Sequence, residues 1–319
     1  MAGGHLTSAP NPATQYAPTL AAIHFRTTMV FKETLQSLDK EVKVAVDDFF
    51  KKAQENQKNE NDILLVYIHA FQDNQRKKSL QKININVSEY GFGPSHVGLC
   101  TNRLYEFFDV YRHQIESKKK FTKELKTKKE QTELRERIAV DIELLIYLKF
   151  WESDFILKRL YNLTNLILSK DYEWDFDENK FWKKRNLIRR EIQQPIKLIS
   201  PLFHSLIEET YSAQIRNAVA HTKYFFQGRY LKLANKKDNK HYILYSIPFD
   251  EWEIRFHKVL LLYNHLMGNF NMINREHADK AKDLHNGLAV RTPKKGKLGQ
   301  DKVQWIKHDE HFDRWIYNE

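Results

Sequence analysis

The sequence is poor in cysteine, glycine and proline and has no long apolar run. Cys100 is the single cysteine among 319 residues, so neither an intrachain disulfide nor a cysteine-rich zinc site can form, which fits a reducing, cytoplasmic compartment. Ten glycines and eight prolines are few for this length and favour long helices over a turn-rich β fold. The longest apolar runs, 63–68 and 259–263, are too short to cross a bilayer, so no membrane association is expected.

Several motifs are also missing. The N-terminus has no basic segment followed by an apolar one, which predicts no secretory signal. The sequence contains no phosphate-binding glycine-rich loop and no Gly-x-Ser-x-Gly motif. His308 and His311 have a spacing that a metal site can use, but no further ligand pattern accompanies them. We therefore expect neither a metal nor a cofactor.

The sequence does have positive charge and apolar residues in quantity. Lys plus Arg number 52 and Asp plus Glu 41, a net charge of +11, and 41% of the residues are apolar. A sizeable core is therefore expected. The charge suits a polyanionic partner, although in a helical scaffold without a nucleic-acid role it would serve solubility alone.

The apolar periodicity predicts a mostly α-helical chain. Residues 1–20 are expected to be a disordered lead, and 21–94 an N-terminal helical region that ends at the loop Tyr90–Pro94. Within it we predict helices at 30–57 and from Asp62 through Phe71, then a short strand around 83–87.

The larger part of the chain, 95–287, is predicted as one helical domain followed by a basic C-terminal tail, 288–319. Its first half is predicted to contain a helix at 95–117, a lysine-rich segment at 118–129, a central buried helix at 138–169 and an acidic aromatic loop at 171–177. A basic helix from Glu178 follows, which Pro195 bends or ends, and then a helix from Ser200 to His221. The domain ends with strands at 224–233 and 241–247, joined by the turn 235–240, and a helix at 250–284. The lysine-rich segment is equally well interpreted as a solvated helix or linker and as a contact to an RNA backbone.

The most informative stretch is 211–221, near the predicted end of the helix that Ser200 and Pro201 begin. Asn217 and His221 are four residues apart and share a helix face, whereas Arg216 and His221 are roughly 140° apart around an ideal helix. They converge only if the last turn unwinds or the arginine side chain wraps round. A cation that holds phosphate, next to an imidazole that moves a proton, is a minimal pair for cleaving a phosphodiester. A structural interpretation stays open, in which His221 complements the helix dipole and Arg216 lies on a solvated face.

Arg216-Asn217-x-x-x-His221, late in a helix of a mostly helical chain, resembles the Arg-x4-6-His signature of the HEPN superfamily. The resemblance covers about residues 95–287 and is specific only in these six residues. It implies an HEPN-like helical bundle with a small β-hairpin after the motif helix and, in this chain, an N-terminal helical extension. One subgroup carries a tyrosine two residues after the histidine; here Tyr224 is three residues after it, so the resemblance does not extend to regulation through that tyrosine.

The resemblance also implies an activity. HEPN proteins are commonly dimers, and many are metal-independent ribonucleases that act as toxins, in abortive infection or in anti-phage defence. Carried over, His221 would transfer the proton, Arg216 would bind the scissile phosphate, and Asn217 would orient the histidine or the helix end. The expected partners are single-stranded or looped RNA, with tRNA as one candidate, a second copy of the chain, and an antitoxin or a phage-derived trigger.

A weaker resemblance concerns the central helix. Some HEPN members carry Glu-x3-Lys-Arg on an early helix, and Asp154-x3-Lys158-Arg159 resembles it with Asp in place of Glu. An i, i+4 surface ion pair of Asp154 with Lys158 explains the same residues. Two function classes thus stay open: an RNA endonuclease, and a catalytically silent HEPN module that binds RNA, a nucleotide or a protein.

Overall fold

A computed structural model describes residues 32–68, 128–174, 176, 184–235, 245–293, 301–311 and 314–317. These residues are mostly helical, with two antiparallel three-stranded sheets. The helices are α1 (Lys32–Asn56), α2 (Asp62–Ile68), α3 (Lys128–Glu152), α4 (Asp154–Ile167), α5 (Lys184–Asn186), α6 (Pro201–Thr210), α7 (Ala213–Ala220) and α8 (Phe249–Lys282). Helix α5 continues into a π-helical segment, Leu187–Gln193, and a 3₁₀ turn, Gln194–Ile196. The strands are β1 (Tyr224–Gln227), β2 (Tyr230–Leu233), β3 (Tyr245–Pro248), β4 (Leu288–Pro293), β5 (Asp301–Asp309) and β6 (Arg314–Tyr317).

Helices α1 and α8 build the centre of the core, and both were predicted from their apolar periodicity. Helix α1 packs against α8, α4 and α6. Its apolar positions 42, 46, 49 and 53 are fully buried, as expected for one stripe of an amphipathic helix. Phe49 stacks on Phe203 of α6 with ring centroids 3.9 Å apart. The N-terminal helices therefore share one hydrophobic core with the helices around the motif.

The predicted central helix at 138–169 is wrong in two respects, because the observed helix begins at Lys128 and breaks at Ser153. Helix α3 ends at Glu152, and Ser153 takes an extended conformation with ψ 108°. The Ser153 hydroxyl accepts a hydrogen bond from the backbone N–H of Ile156, 3.4 Å away, and so caps α4. Apolar residues continue on both sides of the break, so the apolar periodicity of the sequence does not reveal it. As a consequence, two carboxylates, Glu152 and Asp154, lie on either side of the break.

The predicted helix from Ser200 to His221 is also two helices. The chain is extended at Tyr211 and Ser212, and the Ser212 hydroxyl caps α7 by accepting from the backbone N–H of Ile215. The Tyr147 hydroxyl of α3 accepts a 2.7 Å hydrogen bond from the backbone N–H of Ser212 and fixes this junction. Ser200 occupies the capping position of α6 but donates its hydroxyl to Asp48 at 2.7 Å instead.

The first sheet corrects the predicted strands at 224–233 and 241–247. Gly228, with φ +57°, makes a tight turn between β1 and β2, so the first predicted strand is itself a hairpin. Strand β3 then pairs with β2, which makes a three-stranded sheet rather than the expected hairpin. Most of the predicted turn at 235–240 lies outside the described residues.

Residues 288–319, predicted to be a basic tail, contain the second sheet. Strands β4, β5 and β6 pair antiparallel in that order. Their inner face includes Ile306 and Trp315, and the Trp315 indole N–H donates to the Asn274 Oδ1 of α8 at 2.8 Å. Gly287, just before β4, has φ +78°, and a Cβ at this position would lie 2.2 Å from the carbonyl oxygen of Ile306. Only glycine therefore fits there.

Several predictions fall outside the described residues. They are the strand at 83–87, the loop Tyr90–Pro94 with its domain boundary, the helix at 95–117 and all but the end of the lysine-rich segment. Among the residues that the structure describes, no helix is long and apolar enough to cross a membrane.

Candidate active site around helix α7

His221 stands at the end of α7, as the sequence predicted. It is the C-terminal cap, with non-helical φ −111° and ψ 12°, and its side chain is exposed. Its backbone N–H donates to the carbonyl oxygen of Asn217 at 3.2 Å. Thr222 follows with φ +52° and turns the chain into β1. The imidazole therefore projects from the point where the helix stops, and solvent reaches it.

Arg216 lies about 1.4 turns earlier and is bound by a carboxylate from another helix. Its Nε donates to Oε1 of Glu152, the last residue of α3. Only 18% of the Arg216 side chain is exposed, against 31% for Glu152. The alternative in which Arg216 lies on a solvated face is therefore wrong. Glu152 contacts the guanidinium at Nε, and the buried Tyr211 lies near the same guanidinium.

Glu152 is shared with a second cation, Lys184 at the start of α5. The Lys184 Nζ lies 3.3 Å from the second carboxylate oxygen of Glu152 and donates to Asp154 at 2.7 Å. It also donates to the backbone carbonyl oxygen of Glu152 at 2.8 Å. The break at Ser153 thus gathers two carboxylates and two cations into one partly buried cluster, in which charges interact more strongly than in water.

Tyr211, at the junction before α7, joins this cluster to further basic residues. The side chain is 1% exposed, and burial raises the pKa of its hydroxyl, while the nearby positive charges of Arg216, Arg189 and Arg185 act in the opposite direction. The Arg189 guanidinium lies 5.8 Å from the centre of the Tyr211 ring. Arg189 belongs to the π-helical segment, an irregularity that is frequent at functional sites. Basic residues of this irregular helix therefore lie near Tyr211, at the junction that precedes α7.

The structure does not join Arg216 to His221. Within the described part of the chain no hydrogen bond links their side chains, and the two leave α7 at different points. Asn217 is exposed, and it contacts His221 through its backbone carbonyl rather than through its side-chain amide. A single copy of the chain thus displays the two proposed functional groups separately.

The weaker candidates Lys158 and Arg159 lie in the interior, 5% and 4% exposed. Arg159 donates to the carbonyl oxygen of Tyr67 at 3.0 Å and stacks 3.8 Å from the ring centre of Phe155. Burial lowers its pKa to about 9. The expected surface ion pair of Asp154 with Lys158 is wrong, because Lys158 is buried and Asp154 pairs with Lys184.

Strand β1 is tied back to α3. The Tyr224 hydroxyl donates to the Asp141 carboxylate at 2.9 Å, and burial, followed by that carboxylate, raises the pKa of Tyr224 to about 12. The tyrosine nearest to His221 in sequence thus fixes the chain that leaves α7. No group of three or more metal-ligating side chains occurs among the residues that the structure describes.

Glu152 is the neighbour of Arg216 that the sequence did not reveal. The spacing to Lys158 and Arg159 drew attention to Asp154, whereas Glu152 makes the contact with Arg216. The available signal was Glu-Ser-Asp, a serine that can cap a helix between two carboxylates.

Comparison with known proteins returned no match: no protein-family model, no curated protein and no solved structure is significantly similar to the chain.

Proposed function

We propose that the protein is a metal-independent RNA endonuclease of HEPN type, in which Arg216 binds the scissile phosphate and His221 transfers the proton. One observation carries this assignment. An exposed imidazole ends the same short helix whose Arg216 is held in a partly buried position by Glu152. An arginine positioned by a carboxylate and a histidine accessible to solvent are the two groups that the chemistry needs.

The reaction suited to these groups uses the substrate's own 2′-hydroxyl. The 2′-oxygen attacks the adjacent phosphorus while the bond from phosphorus to the 5′-oxygen breaks. One imidazole accepts the proton of the 2′-hydroxyl or supplies the proton that the leaving 5′-oxygen takes. The Nη donors of Arg216 bind the non-bridging oxygens, where negative charge builds up. The products are a 2′,3′-cyclic phosphate and a 5′-hydroxyl, and the 2′-hydroxyl requirement distinguishes RNA from DNA.

A second copy of the chain completes this site. Because Arg216 and His221 do not contact each other within one copy, a C2 dimer with two facing α7 helices would bring groups from both copies to one phosphate. Two imidazoles would then be present, one able to accept the proton and one able to donate it.

The neighbouring basic residues suit the rest of the substrate. Arg185 is exposed and Arg189 partly so, and both belong to the irregular helix that meets α7 at Tyr211. Guanidinium groups bind phosphates of successive nucleotides without reading the bases. Single-stranded or looped RNA is the proposed substrate, because in-line attack needs a backbone that can leave A-form geometry.

Cell defence, as in abortive infection or toxin action, is the proposed setting, with the antitoxin or trigger as a further proposed partner. The contrasting function, a silent RNA-, nucleotide- or protein-binding module, is favoured by one observation: Glu152 already neutralises Arg216.

A cleavage assay separates the two functions. Structured and unstructured RNAs are incubated with wild-type protein in EDTA, beside His221→Ala, Arg216→Ala and the control His285→Ala. His285 is also exposed but lies after α8. We expect cleavage in EDTA by wild type and His285→Ala, and a loss of about 10²–10⁴-fold in both motif variants. Equal activity in all four proteins would refute the assignment, and so would activity that depends on added Mg²⁺. Expression in a bacterium should arrest growth for wild type and not for His221→Ala.

A further inference from the structure

The second sheet, formed by β4, β5 and β6, has an unusually apolar outer face. One face packs on the core through residues such as Ile306 and Trp315. The opposite face of such a sheet is ordinarily polar. Here it exposes three apolar side chains instead: Val303 at 56%, Trp305 at 43% and Ile316 at 39%.

Trp305 lies on the central strand of this face, with room beside it. It is directly opposite Ala289 of β4, whose methyl group is the smallest side chain that could stand there. Trp305 makes no ring contact with another aromatic residue in the described part of the chain. An indole that is 43% exposed in the middle of a sheet, with a small cross-strand neighbour and no aromatic partner, offers apolar surface for a planar ligand.

Two cations flank Trp305. Arg291 of β4 pairs with Val303 and so stands diagonally on one side of the indole, whereas Lys307 stands two residues further along β5 on the other. Positions related in this way are roughly 7–8 Å apart, within reach of long side chains. Neither Arg291 nor Lys307 forms a salt bridge in the ranges that the structure describes, although the charge of Arg291 acts on the buried carboxylate of Asp62. Asp309, the last residue of β5, is on the same face two residues beyond Lys307, at the end of the strand away from Arg291.

We propose that this face is a binding platform for single-stranded RNA, on which a base stacks on Trp305 and its flanking phosphates contact Arg291 and Lys307. Aromatic side chains between basic ones on a sheet are a general solution for binding single strands, because every base has a π face and every nucleotide a phosphate. A neutral protein partner fits less well, since docking would remove both cations from water, whereas a nucleic acid supplies a phosphate for each. The platform rests on the proposed function only for the choice of RNA as ligand, and it requires no cleavage.

Binding is measured with the full-length wild-type chain and a fluorescein-labelled 2′-O-methyl oligouridine, which lacks the nucleophile and cannot be cut. Fluorescence anisotropy gives Kd for wild type, Trp305→Ala, Trp305→Phe, and the control Met272→Ala. Met272 is an apolar residue of α8, 48% exposed. We expect Kd to rise about tenfold in Trp305→Ala, to change little in Trp305→Phe, which keeps a stacking ring, and to stay constant in Met272→Ala. Circular dichroism and thermal melting of each variant identify any loss of folding.

Two further variants test the cations without removing the aromatic ring. Arg291→Gln and Lys307→Gln should each reduce the slope of log Kd against log salt concentration by about 0.7, the value for one phosphate contact on a single strand. Unchanged Kd in Trp305→Ala together with unchanged salt slopes would overturn the platform. Light scattering adds a control, because a change of oligomeric state in Trp305→Ala without a change in RNA affinity would assign this face to a second copy of the chain instead.

The result of the RNA-binding experiment can be distinguished from the result of the cleavage assay. Cleavage in EDTA, with a Kd unchanged in Trp305→Ala and salt slopes unchanged in Arg291→Gln and Lys307→Gln, would refute the platform and leave the nuclease standing. Trp305-dependent binding by a protein that cuts no RNA would leave the platform standing and refute the nuclease.

Discussion

The ion pair of Arg216 with Glu152 makes a quantitative prediction. Two unit charges about 4 Å apart attract by about 4 kcal/mol at an effective dielectric constant of about 20. The Arg216 and Glu152 side chains are 18% and 31% exposed, so solvent screens part of this attraction. Allowing for that screening and for the second cation, Lys184, we expect a coupling free energy of about 1–3 kcal/mol between the two residues.

A double-mutant cycle measures this coupling directly. The free energy of unfolding is determined in urea for wild type, Glu152→Gln, Arg216→Gln and the double variant. The matched control is the pair of Glu136 with Arg229, 3.1 Å apart, which also joins α3 to a later part of the chain. Because Arg229 is 48% exposed, its coupling with Glu136 should stay below about 1 kcal/mol.

The Glu152→Gln variant also tests whether Glu152 contributes to the proposed reaction. Without the carboxylate, Arg216 loses the contact that orients its guanidinium, and we expect kcat/KM for RNA cleavage to fall about 10–100-fold in Glu152→Gln. Glu136→Gln should cleave at the wild-type rate. A coupling no larger than that of the control pair, with undiminished cleavage by Glu152→Gln, would show that Glu152 does not position Arg216.

Three further predictions concern stability and assembly. Ser212→Ala removes the hydroxyl that caps α7 and should lower the free energy of unfolding by about 1 kcal/mol, and an unchanged urea midpoint would contradict this role. Burial raises the pKa of Glu143 from 4.5 to about 7, so the folded state binds more protons and the free energy of unfolding should fall as pH rises between these values. Glu143→Gln should flatten that fall, whereas a pH profile parallel to the wild type would refute it. Light scattering should give a dimer, and a stable monomer that still cuts RNA would rule out the two-copy site.

The sequence predicted the elements whose burial follows one period. Helices α1 and α8 appeared within a few residues of their observed bounds, because a single apolar stripe determines each of them. His221 was placed at a helix end because the period stops there. The local apolar pattern was sufficient to predict an element wherever burial of one face determines its structure.

Breaks within apolar stretches were missed because side chains compete with the helix there. Ser153 and Ser212 each replace helical backbone with a cap, although the apolar residues around them would suit a continuous helix. Gly228 in the same way turns one predicted strand into two, since only its left-handed φ reveals the hairpin.

Contacts between distant residues were beyond prediction from one sequence. Arg216 and Glu152 are 64 positions apart, and nothing local indicates that they meet. The second sheet was hidden for a related reason: its strands are stabilised by pairing with each other and by contacts to α8, and the basic run at 294–297 between two of them suggested a tail.

The most direct test of the central claim uses one RNA with a single 2′-deoxynucleotide immediately 5′ to the cleaved bond. Wild-type protein in EDTA is incubated with this substrate and with its all-ribose counterpart, and the product ends are identified by mass spectrometry. If the 2′-hydroxyl is the nucleophile, the ribose substrate yields a 2′,3′-cyclic phosphate or 3′-phosphate and a 5′-hydroxyl, and the deoxy substrate stays intact at that bond. Cleavage at the deoxynucleotide, or a product with a 5′-phosphate, would contradict the account.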